Sequence, residues 1–298
     1  MTGFINDHVR ITLSTLAQKV LNSDRIIFGA SANSKMTYGT LINKIIINYD
    51  DDFALNENLL KLHNEEESRI VHLQNDTVAI LDALNPHYYL EKISNPNISK
   101  YVKCLLETFT RLPFIEREKL ILKKDIIQHI ERALNTCKKL QLVYNKKTSL
   151  ITPICIATAK EGTFQYLIGE DDSKRVSFRL SRIEKIRVKG IASPVSEDTK
   201  NKLMEDLSEF GATFVTVPNT TIKVRFSPKG LESYKYSVIH RPMHVAEEDG
   251  NILVFNCSEM QALFFFFRFA GDVEILEPLS LRNKFRDLYL AGLNNYQR

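Results

Sequence analysis

The chain has 298 residues, 44% of them hydrophobic and 26% charged, with a net charge of only +4. At about 150 residues per domain this predicts two domains or three small ones, each with enough apolar material for a core. Its longest apolar run, Ala262–Phe267, is too short to span a bilayer, and Cys104, Cys137, Cys155 and Cys257 are too scattered to form a zinc knuckle. Asp7, His8 and Arg10 interrupt the start, so no secretory segment is read there. A soluble, cytoplasmic protein with reduced thiols and no membrane partner is expected.

The first fifty residues read as strand, helix, helix. His8–Leu13 alternates polar and apolar with period two, the pattern of a half-buried strand. Ser14 offers an N-cap, and Leu16, Ala17, Val20 and Leu21 follow at helical spacing up to Gly29. Ala30 to Lys35 makes a turn. A second helix carries Leu41, Ile42, Ile45, Ile46 and Tyr49 on one face. One strand needs a partner strand, and a second copy of the chain is the expected source, which predicts a homodimer.

Residues 50–67 are acidic and read as a solvated linker and helix face. Helices are predicted over about 53–84, 98–111 and 115–139, with Asn85-Pro86 and Asn95-Pro96 bracketing a loop. No internal repeat is apparent. From about 140 the period switches to two. Five short strands, near 140–144, 149–157, 163–169, 175–180 and 183–188, fit a small barrel. Beyond Ser193-Pro194 a mixed α+β region is predicted: helix 196–210, strands 213–217 and 221–227, helix 228–238, strands 242–247 and 251–257, helix 258–269, strand 272–276 and helix 278–296.

Motifs for catalysis are missing: there is no G-x-S-x-G elbow, P-loop or H-E-x-x-H. His240 and His244 are four apart, but Pro242 between them breaks the helix that zinc ligation would need. A non-enzymatic protein without cofactor or metal is therefore expected. The positive signal lies in Lys174–Lys189, which holds Lys174, Arg175, Arg179, Arg182, Lys185, Arg187 and Lys189 against one acid, Glu184. Alternation turns Val176, Phe178 and Leu180 inward and Arg175, Ser177 and Arg179 outward. In the next strand Ile186 and Val188 face the core and Lys185, Arg187 and Lys189 face out. Tyr144 and Tyr166 supply stacking faces. A basic groove with aromatic platforms binds single strands; a plain solvated sheet face is the competing reading. At the N-terminus His8, Arg10 and Thr12 share one face. Paired in a dimer they form either a two-stranded ribbon that fits the DNA major groove or a plain dimerisation arm. Residues Asn33 to Tyr38, opening the second helix, offer backbone N–H groups to a phosphate.

Phe164-Gln165-Tyr166-Leu167-Ile168-Gly169, followed by Phe178-Arg179-Leu180-Ser181-Arg182-Ile183, resembles the WYL domain. The resemblance implies an Sm-like barrel that binds nucleic acids or nucleotide-like ligands, with Tyr144, Tyr166, Arg179 and Arg182 as contacts. Gln165 stands in place of the family's tryptophan. Val224–Ser227, Gly271–Pro278 and Leu281-Arg282 resemble the extension that follows WYL domains. The whole is similar to WYL accessory proteins of type VI CRISPR systems, which bind RNA and boost the effector.

The expected organisation is thus α+β in four parts. Residues 1–52 form a ribbon-helix-helix-like dimerisation or DNA-binding unit and 53–137 a helical connector. Residues 138–192 form the WYL barrel and 193–298 an α+β extension. The expected function is a homodimeric regulator or accessory protein whose barrel binds single-stranded nucleic acid, RNA ahead of DNA, and which modulates a CRISPR effector. The alternative is a ligand-gated transcription factor, its ribbon on operator DNA and its barrel sensing a small nucleotide.

Overall fold

The computed structural model describes residues 8–29, 36–49, 55–62, 68–83, 97–172 and 174–297. The chain divides into two compact units. The first comprises residues 1–155, 169–174 and 178–193, and the second 156–168, 175–177 and 194–298.

In the first unit the opening alternation becomes strand β1 (His8–Thr12), with Val9 and Ile11 buried and His8 and Arg10 exposed. Ser14 Oγ accepts from Ala17 N at 3.2 Å and so caps helix α1 (Thr15–Gly29). Thr37 does the same for α2 (Tyr38–Asn48), which buries Leu41, Ile42, Ile45 and Ile46 as its spacing predicts.

The region 53–84 departs from the predicted helix. It holds a 3₁₀ turn (Glu57–Lys61), a strand β2 (Ser68–His72) and a helix α3 (Asn75–Ala83). Strand β2 pairs antiparallel with β1, placing His72 opposite His8, Ile70 opposite Arg10 and Ser68 opposite Thr12. The partner that β1 needs therefore comes from its own chain. That removes the reason for expecting a second copy of the chain at this strand. Arg69-Ile70-Val71-His72-Leu73 has the same period-two signal as β1, but five residues inside a long polar stretch were outweighed by the helical reading around them. The acidic runs 50–52 and 65–67, the turn 30–35 and the Asn-Pro loop 85–96 lie outside the described residues.

Helices α4 (Ile98–Phe109), α5 (Phe114–Leu122) and α6 (Gln128–Asn135) complete the helical part, with a π-helical segment (Lys123–Ile127) joining the last two. Their apolar stripes bury Val102, Leu105, Phe109, Ile121 and Ile130. Within this layer Arg117 donates to buried Asp24, with Nε at 2.7 Å and Nη2 at 3.1 Å.

Five strands follow: β3 (Lys138–Tyr144), β4 (Lys147–Thr158), β5 (Gln165–Asp171), β6 (Lys174–Arg179) and β7 (Ile183–Ile191). They form one sheet of order β6-β5-β4-β3-β7, with β3 antiparallel to both β4 and β7. Asn145 and Lys146, at φ 51° and 64°, make the two-residue turn between β3 and β4, where positive φ matches the strand twist. Gly169 is required for another reason: a Cβ there would stand 2.6 Å from Thr152 O. All five predicted strands are present, but the described pairings leave β6 and β7 as the two ends of the sheet and do not close it into a barrel.

The C-terminal region is mixed α+β. Helix α7 (Glu197–Phe210) leads into turns over 212–217, where a strand is predicted. Gly211, at φ 75°, reverses the chain, and Phe214 N and Val215 N both donate to its carbonyl. The apolar residues there serve burial in a turn, Phe214 and Val215 being 2% and 8% exposed. Strands β8 (Thr220–Phe226), β9 (Met243–Glu248), β10 (Ile252–Cys257) and β11 (Val273–Glu277) form a sheet of order β11-β8-β10-β9. Helices α8 (Pro228–Tyr236), α9 (Glu259–Phe266) and α10 (Leu279–Tyr296) accompany it. The core is an aromatic cluster in which Phe226, Phe255, Phe265 and Phe266 are all but fully buried. No helix among the described residues is long and apolar enough to cross a membrane.

Candidate nucleic-acid interface

In the first unit, Tyr144 ends β3 half-buried, its ring edge-on to Phe178 at 5.2 Å. Next to Phe178, Arg179 is half-buried, and its Nε donates to Ser181 Oγ at 2.8 Å. Ser181 is buried, so this bond orients the guanidinium. Arg182 closes the 3₁₀ turn Leu180–Arg182 and is exposed. Tyr144, Arg179 and Arg182 are thus linked locally through Phe178 and Ser181.

Strand β7 then carries Lys185, Arg187 and Lys189 exposed, with Ile183 and Ile186 buried behind them. The only acid of this stretch, Glu184, accepts from Lys146 N at 3.0 Å. Lys146 and Lys147 add two exposed cations at the β3–β4 hairpin. Cations on an exposed row, with their one acid engaged elsewhere, present a net positive face to phosphate.

The expected alternation on β6 is weaker than predicted: Arg175 to Arg179 are all half-buried. In the second unit Arg175 forms an ion pair with Asp206, and Ser177 Oγ donates to Ala212 O at 2.9 Å. Arg175 and Ser177 thus hold structure together, and the exposed basic row lies on β7 and its preceding turn. Tyr166, also in the second unit, is half-buried, and its hydroxyl accepts from Thr213 Oγ1 at 3.4 Å. Gln165, in the tryptophan position, is 7% exposed and packs into the interior. The hairpin cations and Ser181 were missed in the sequence because their role depends on which turn follows each strand.

His8, Arg10 and Thr12 do share the outward face of β1, and His8 meets His72 edge-on at 4.7 Å. What sequence reading missed is the second strand of this ribbon, which adds Ser68, Ile70 and His72 to the same face. Asn33 to Lys35 lie outside the described residues. His240 sits in a turn and His244 in β9, and no group of three metal-ligating side chains gathers among the described residues.

Residues 218–290 match the family model of the WCX domain, the C-terminal extension associated with WYL domains. This is the segment whose motifs resemble that extension. Among solved structures, one described as "Crystal structure of a CRISPR Cas-related protein" is 18% identical, with a TM-score of 0.68, covering 99% of this chain and 95% of that one. The fold is therefore shared along the whole length. Proteasome accessory factor B/C (PafBC) of Arthrobacter aurescens is 17% identical over 79% of this chain and 38% of its own, with a TM-score of 0.31. No curated protein matches.

Proposed function

We propose that the chain is a non-enzymatic nucleic-acid-binding regulator or accessory protein, whose five-stranded sheet works as a WYL barrel does and holds single-stranded nucleic acid, RNA in preference. The observation that carries this reading is the exposed row Arg182, Lys185, Arg187 and Lys189 beside the hairpin cations, with Glu184 turned to the Lys146 amide. Tyr144 supplies the stacking face. The full-length likeness to a CRISPR Cas-related protein supports a place beside a CRISPR effector.

The test is a titration of labelled single-stranded RNA and DNA at several salt concentrations. Arg182→Ala should flatten the dependence of log K on log salt by about 0.7. Tyr144→Ala should weaken binding by about 1–3 kcal/mol with the slope unchanged. If both variants bind as the wild type does, the sheet is not the reading surface.

A further inference from the structure

The elements of residues 8–109 recur with one period. Strand β2 starts 60 residues after β1 (His8 to Ser68), α3 starts 60 after α1 (Thr15 to Asn75), and α4 starts 60 after α2 (Tyr38 to Ile98). The caps recur too: Thr37 accepts from Thr40 N, and Asn97 from Lys100 N. So do buried positions, as Leu13 with Leu73, Leu21 with Leu81, Ile42 with Val102 and Ile45 with Leu105. The two halves are tied crosswise. Asn43 of α2 accepts from Gln74 N, at the mouth of α3, at 2.8 Å. Glu107 of α4 accepts from Ser14 N, at the mouth of α1, at 2.6 Å. This is a strand-helix-helix unit present twice in one chain, its halves related by an approximate two-fold through the Arg10–Ile70 pair, which occupies equivalent positions of the repeat.

We infer that this tandem unit is a complete ribbon-helix-helix head, and that its outward ribbon reads a non-palindromic sequence in the major groove of duplex DNA, one chain to a site. The inference is independent of the basic sheet. A two-stranded antiparallel ribbon fits the major groove. The outward positions of the ribbon are His8, Arg10, Thr12, Ser68, Ile70 and His72, with no acid among them, which suits a polyanion. Ile70 is 61% exposed at the centre of that face. A large apolar side chain there matches a thymine methyl, as Arg10 matches the O6/N7 edge of guanine. Two copies of β1 paired in this register would set Arg10 against Arg10, like charges directly opposite, which is unfavourable. The repeat puts isoleucine there, so the two strands present different chemistry.

The experiment is selection from a pool of short duplexes of random sequence with the full-length chain, followed by native mass spectrometry on the enriched duplex. A non-palindromic motif bound by one chain is expected. Arg10→Ala should weaken the enriched duplex by about tenfold or more and erase a guanine preference. Arg10→Lys should keep the salt slope and weaken the guanine preference without erasing it. Ile70→Ser should erase a thymine preference. All three should hold single-stranded RNA as the wild type does, so failure here and failure of the sheet reading are separable. No enrichment, a palindrome bound by two chains, or variants that leave the motif unchanged would overturn the inference.

Discussion

Asp24 is fully buried in α1, where it forms an ion pair with Arg117. Burial pushes its carboxyl above the usual range, and the Arg117 hydrogen bonds and charge pull it part of the way back. The folded state therefore binds this proton more tightly than the unfolded chain does. The contribution of Asp24 is largest at acid pH and falls as pH rises through the region above the usual carboxylate value. Arg117→Met leaves a buried carboxylate without its partner and should cost about 3–5 kcal/mol at neutral pH. The loss should shrink toward acid pH, where a protonated Asp24 needs no counter-charge. Urea unfolding of both proteins at neutral and acid pH measures it, and an equal loss at both would assign Arg117 to packing on Phe114, whose ring it covers at 5.5 Å. The pair was not legible in the sequence, since 93 residues separate its members. Cys257 is buried in the C-terminal core, and burial pushes its thiol up to about 12.

At the scale of elements, the strands β3 to β7 were legible in the sequence and β2 was not. β3 to β7 are bounded by Asn145, Gly162 and Pro194, and their alternation runs long enough to exclude helix. β2 has five residues and no such bounds. Thr213–Val217 has the residue types of a strand, but Gly211 turns the chain before it can extend. In the candidate site, the places of Tyr144 at the end of β3 and of Arg179 and Arg182 around the β6–β7 turn were legible from the strand pattern, whereas the half-burial of Arg175 was not, because its partner Asp206 lies in a later helix. Helix α8 shows a contact that sequence cannot report: a Cβ on Gly230 would stand 2.4 Å from Asp272 O. Gly230→Ala should therefore destabilise the C-terminal region by about 1–3 kcal/mol through overpacking. Gly190→Ala is the control, with nothing within 4 Å of its Cβ. A thermal melt of each variant against wild type reads the difference.

On the scale of the whole molecule, the mixed α+β class was legible from period and turn chemistry, and the 60-residue repeat was not. Leu13 with Leu73 and Leu21 with Leu81 are among its few identical pairs. The repeat is kept in which positions are buried and where caps fall, a pattern that comparison of residues with residues does not see. Because β1 finds β2 within its own chain, pairing of the ribbon is a unimolecular event. A ribbon assembled from two chains melts lower as it is diluted. Here the effective concentration of one strand for the other is fixed by the linking chain. The melting midpoint of the ribbon unit should not move across a wide dilution series, and a midpoint that falls with dilution would return the strand to a second subunit. A reading head of this construction stays assembled at a few copies per cell, where a dimeric head would come apart.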